Sequence, residues 1–218
     1  MVLDQRGYIR KNMPSFYIWK ILKEGDWLKT LETNDWMILN SIIYKIYTTE
    51  DADIMREQFL EQMKMVLDFD SADFFLADRK ESKHLIRPVT YNCDDESPMY
   101  DEMNLNRGIV YSGKSLVYRE TDMISDEKRV QTEYYQKVYR PNNWHYAIQM
   151  ILGRNKEFLG VVTFYRTIGK DNFQYDDIFI LDMLKDHLAF RLYKDGQQKD
   201  ERAEKLTITE VTEKYELT

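Results

Sequence analysis

From Ser125 to Tyr165 the chain alternates between two folding periods. It reads Ser125-Asp126, then Gln131-Thr132-Glu133-Tyr134-Tyr135, then Tyr139-Arg140-Pro141, then Trp144-His145-Tyr146. Two apolar runs follow, Ala147 to Leu152 and Phe158 to Tyr165, on either side of Gly153-Arg154-Asn155-Lys156-Glu157. Val130, Tyr134, Tyr135 and Val138 form an apolar stripe at helical spacing, with Ser125 as its cap. Pro141 has no N–H to give and ends the helix. The two runs then predict strands of a hairpin.

The rest of the chain follows the same logic. Pro14 to Gly25 reads as a helix within a lead-in over residues 1–33. A second helix begins at Asn34 or Asp35 and carries Trp36, Leu39, Ile42, Ile43 and Ile46 on one face. A third runs from Asp51 to Leu67, with Ile54, Phe59, Met63, Val66 and Leu67 as its buried side. Ser71 to Ala77 and His84 to Tyr91 read as a first hairpin. Residues 92–106 are polar and acidic and read as a long loop. Ile109-Val110-Tyr111 reads as a helical turn, and Ser115 to Tyr118 as a short strand. A final helix runs from Tyr175 to Lys194 and stops at Gly196. The order is ααββ, loop, α, ββ, α, which predicts an α+β fold with an antiparallel sheet covered by helices.

Composition narrows the function. The net charge of −7 disfavours nucleic-acid binding by this segment. A single cysteine, Cys93, rules out an internal disulfide and paired-cysteine chemistry, and points to a reducing, cytoplasmic setting. No apolar run reaches the roughly 18–20 residues that span a bilayer, so no membrane association is expected.

Few residues invite chemistry. His84, His145 and His187 lack metal-site spacing, so no metal is expected. Cys93 stands beside Asp94 and Asp95, whose charges suppress its thiolate. Asp176-Asp177 reads as a helix N-terminus. Eight glycines supply no phosphate-cradling loop, and no cofactor is expected. Nucleophile, base and oxyanion groups do not assemble at a recognisable spacing, so the expectation is not an enzyme.

Several pieces together resemble a GAF domain over residues 34–195. They are Ser125-Asp126, Thr132-Glu133-Tyr134-Tyr135, Tyr139-Arg140-Pro141, Phe158 to Arg166, Phe173-x-x-x-Asp177 and Leu184-x-x-His187-Leu188. More narrowly, the chain resembles the N-terminal sensor half of LuxR-type helix-turn-helix transcription regulators. In those regulators a Leu-Thr pair, like Leu206-Thr207 or Leu217-Thr218 here, often precedes the DNA-binding domain.

This resemblance implies a GAF-like antiparallel sheet flanked by N- and C-terminal helices. It also implies a small-molecule cavity walled by aromatic segments, with Tyr91, Tyr111, Tyr118, Tyr134, Trp144 and His145 as candidate ligand contacts. It implies a homodimer through the Trp36–Ile46 and Ile178–Leu192 helices. Residues 196–218 would be a linker toward a missing DNA-binding domain, through which alone DNA would be met. Cyclic-nucleotide binding is disfavoured, because Asn155-Lys156 precedes the last strand and Ile178 follows Asp177. The competing expectation is a degenerate GAF domain that acts as a protein-interaction scaffold without ligand.

Overall fold

The computed structural model describes residues 31–78, 85–93 and 113–215. The chain divides into Met1–Leu31 and Glu32–Thr218, and the fold described belongs to the second unit. The helix expected at Pro14–Gly25, the turn at 79–84, most of the acidic loop and Tyr111 lie outside the described residues.

Helix α1, Thr33–Thr48, begins one residue before its expected caps. Its N-cap is Glu32, whose backbone N–H donates to Asp35 at 3.0 Å. Leu39, Ile42 and Ile46 are buried, whereas Trp36 is half exposed and lies off the buried stripe. Helix α2, Ala52–Met63, is capped by Asp51, which accepts from the N–H groups of Asp53 and Ile54. Its core face is Met55, Phe59, Leu60 and Met63, while Ile54 is exposed.

The strands are β1 Ser71–Ala77, β2 Leu85–Tyr91, β3 Leu116–Arg119, β4 Trp144–Arg154 and β5 Glu157–Thr167. They form one antiparallel sheet in the order β2-β1-β5-β4-β3. The β4–β5 hairpin closes on Asn155 and Lys156, with φ of 53° and 68°. Two successive positive φ values give the primed turn that matches strand twist. Gly160 lies against β1 so closely that a Cβ would meet the carbonyl oxygen of Phe75 at 2.4 Å.

One face of the sheet packs on the helices. Phe74, Ile148, Met150, Val162 and Phe164 point there, and Phe59 of α2 meets Phe74 edge-on. The last helix, α4, Tyr175–Tyr215, covers β3 and β4 on this face with Leu181, Leu184 and Leu188 fully buried. Arg191 ties α4 to the α1–α2 turn, donating to the carbonyls of Ile46 at 2.7 Å and Glu50 at 2.9 Å.

Two expectations change. The final helix does not stop at Gly196 but runs 41 residues to Tyr215, through the stretch expected to be a linker. One glycine costs about 1 kcal/mol against alanine, and the strong helix formers after it outweigh that. The helix expected from Ser125 is broken into a single turn, α3 Asp126–Arg129, and a π-helical turn at Tyr135–Tyr139. No helix among the described residues is long and apolar enough to cross a membrane.

Candidate functional site

The second face of the sheet carries the candidate site. Strand register places Thr90, Asp73, Thr163, Gln149 and Tyr118 directly opposite one another across all five strands. Side chains in one such row share a face. This polar row lies between two apolar rows, Tyr165 with Ala147 on one side and Phe75, Val161, Ile151 and Leu116 on the other. Asp73, Thr163, Gln149 and Tyr118 are all buried.

The segment between β3 and β4 covers this face. Its π-helical turn is closed by Arg140 N–H donating to Tyr135 at 2.9 Å. The wider turn brings Tyr134, Tyr135 and Tyr139 together over the sheet. Tyr139 meets Tyr165 edge-on at 5.7 Å, and Trp144 stacks on Tyr165 at 3.9 Å with the rings 9° apart.

Beneath the rings runs a hydrogen-bond network. Tyr118 donates to Gln149, Gln149 Nε2 to Glu120 at 3.4 Å, and Tyr139 to Glu120 at 2.5 Å. Arg129 lies 3.6 Å from the other Glu120 oxygen and 2.6 Å from Asp126. Its guanidinium sits over the rings of Tyr135, Tyr139 and Tyr146 at 5.1–5.7 Å. At the far end of the row, Tyr165 donates to Asp73 Oδ2 at 2.6 Å.

Burial sets the charge states. It pushes the Asp73 carboxyl up to about 7, against the hydrogen bonds from Tyr165 and Thr163. Burial also raises Glu120, with Tyr139 and Arg129 opposing. It raises the Tyr135 phenol as well.

The residues singled out from sequence separate here. Tyr118, Tyr134 and Trp144 belong to the aromatic face. His145 stands at its rim, with Nδ1 2.7 Å from the Tyr135 hydroxyl and Nε2 3.4 Å from Asp126. Tyr91 does not join them: it pairs with Ala72, and its ring meets Phe69, which packs on Phe164 of the helix-covered face. Tyr111 lies outside the described residues. Cys93 is half buried against the same aromatic cluster, its thiol donating to the Ala72 carbonyl. Phe173 and Asp177 have structural partners, since Arg166 spans both of them. The described residues contain no group of three or more potential metal ligands.

Asp73, Gln149, Thr163, Glu120 and Arg129 escaped the sequence reading. A signal was there for three of them: Asp73, Gln149 and Thr163 are polar residues inside otherwise apolar strand runs. A groove of about 750 Å³ on the helix side is lined by Tyr47, Asp53, Arg87, Arg191 and Asp195. Both of its arginines already pair, Arg87 with Asp53 and Arg191 with Asp195, so it is a weaker candidate.

No family model and no curated protein matches the chain. Solved structures do. The GAF domain of an Acinetobacter phosphoenolpyruvate-protein phosphotransferase is 11% identical, with a TM-score of 0.57, covering 77% of this chain and 97% of its own. Free methionine-R-sulfoxide reductase from Neisseria meningitidis, in complex with its substrate, is 14% identical with a TM-score of 0.53, covering 79% and 97%. The phycoerythrobilin-bound GAF domain of a cyanobacterial phytochrome is 10% identical with a TM-score of 0.53, covering 78% and 100%. At these identities the likeness is one of fold: a five-stranded antiparallel sheet with flanking helices, as in GAF domains.

Proposed function

We propose that this chain is a non-catalytic sensory module that takes a small molecule on the aromatic face and passes the signal along α4. The observation that carries this is the buried polar row, Asp73-Thr163-Gln149-Tyr118, set among aromatic rings. Apolar walls with a few placed polar groups are the make-up of a small-molecule site. The same fold holds a bilin in one neighbour and a substrate in another. Tyr118, Tyr134, Trp144 and His145 remain our proposed contacts, now with Asp73 and Gln149.

The output we propose is a LuxR-type regulator. The chain would pair as a homodimer through α1 and α4, and DNA would be bound by a domain following α4. Trp36, Met37, Tyr44 and Tyr47 are exposed on α1, as a pairing face requires. A coding frame that continues past Thr218 into a helix-turn-helix would support this output, and a different output domain there would replace it.

A second reading, a ligand-free interaction scaffold, is favoured by the tightness of the face, where Trp144 already stacks on Tyr165. Thermal-shift screening of the full chain against a metabolite library, followed by NMR, separates the two. A saturable shift that Trp144→Ala or Tyr134→Ala abolishes supports the sensor. No saturable ligand supports the scaffold.

A further inference from the structure

Asp73 stands apart in the network beneath the rings. It is 5% exposed, and Oδ2 accepts from the Tyr165 hydroxyl. Oδ1 is fully buried and accepts no hydrogen bond among the described residues. The other buried carboxylate of the face, Glu120, has Arg129 beside it. Asp73 has only the neutral partners Tyr165 and Thr163, and no described basic side chain acts on it. Buried carboxylates ordinarily carry a paired cation, because an unpaired charge out of water is costly. Among the described residues Asp73 has no such cation, and its Oδ1 has capacity for a donor supplied by a ligand.

The surroundings restrict its shape. The rows on either side of Asp73 place Tyr165 and Phe75 on the same face. Aromatic rings attract a desolvated cation through their faces and also pack against flat groups. A carboxylate edge is matched best by two parallel N–H donors in one plane.

We propose that the aromatic face takes a planar nitrogen-bearing cation (an amidinium, a guanidinium or a protonated heterocycle) whose N–H groups donate to Asp73 Oδ1. This rests on the sensor reading and names the class of molecule sensed. The cation replaces the proton that Asp73 otherwise keeps, and Tyr165 holds the carboxylate in place while it does so.

Three probes with one ring decide it: benzamidine, benzamide and benzoate, titrated calorimetrically into the full chain at about pH 8, where Asp73 gives up its proton most readily. Benzamidine is expected to bind at least about tenfold more tightly than the other two, and Asp73→Asn to remove that preference. Should Asp73→Asn fail to unfold cooperatively, the preference of the unsubstituted chain decides alone. Benzoate or benzamide binding as well as benzamidine, or benzamidine binding unchanged in Asp73→Asn, overturns the cation while leaving a ligand-binding face. No heat from any of the three also overturns it, whereas the sensor reading stands or falls separately on the metabolite screen.

Discussion

The hydroxyl of Tyr165 reaches diagonally to the carboxylate of Asp73 on the neighbouring strand, 92 residues earlier, at 2.6 Å. The bond ties β5 to β1 at the centre of the sheet, where the chain's two hairpins meet. It also holds a buried acid whose protonation has a cost that varies with pH.

Asp73→Asn should flatten the dependence of stability on pH. The native carboxyl titrates at about 7, against 3.8 for the free group. Between these values the native state keeps a proton that the unfolded chain gives up, so stability falls as pH rises and levels off above about 7. The loss from this group is about 4 kcal/mol as an order of magnitude. Urea titrations from about pH 4 to 8 should show this slope in the unsubstituted chain and not in Asp73→Asn. Equal slopes would mean that the carboxyl is not held up.

Removing Arg129 should expose the cost of Glu120. The ion pair is buried on both sides, at 3% and 8% side-chain exposure. Arg129→Met should cost about 3–5 kcal/mol near neutral pH, because it strands a buried carboxylate. The penalty should shrink as acid protonates Glu120, and Arg129→Met/Glu120→Gln should recover much of it. A double-mutant cycle by urea unfolding measures the coupling. Simple additivity would show that the two groups do not depend on each other.

Trp144→Ala should cost about 3–5 kcal/mol, as for other buried aromatic truncations. Trp144→Phe should cost much less, since it preserves a ring over Tyr165. Equal losses in the two variants would point away from the stack and toward the indole nitrogen.

Arg191→Lys should loosen the α1–α2 turn without unfolding the sheet. A lysine cannot span the Ile46 and Glu50 carbonyls and Asp195 together as the guanidinium does. Hydrogen exchange should rise over residues 47–52 and stay unchanged in β4 and β5, with a local loss of about 1–3 kcal/mol at the turn. Uniform exchange throughout would refute a local clamp.

Long apolar segments were legible from their pattern along the chain. The apolar runs Ala147 to Leu152 and Phe158 to Tyr165 and the stripe of Leu181, Leu184 and Leu188 gave their elements directly. The α+β class and the helix-covered sheet followed from their order. The site was legible only in part. Tyr118, Tyr134 and Trp144, candidates as aromatics, lie on the aromatic face, whereas Tyr91 lies on the other, a difference that appears only once the hairpin joins a third strand. β1 finds that strand in β5, far along the sequence. The polar row was hidden for the same reason: Asp73, Thr163 and Gln149 become neighbours only through long-range register. The π-helical turn was settled by packing and the passage through Gly196 by neighbouring helix formers, and a local breaker residue misled only at Gly196.

The length of α4 has a mechanical consequence. At about 1.5 Å per residue, the part beyond Leu192 extends some 34 Å to Tyr215. A tilt of about 10° at its root would swing the far end by roughly 6 Å. Such a lever converts a change at the sheet that is too small to alter the fold into a displacement comparable to a whole helical turn.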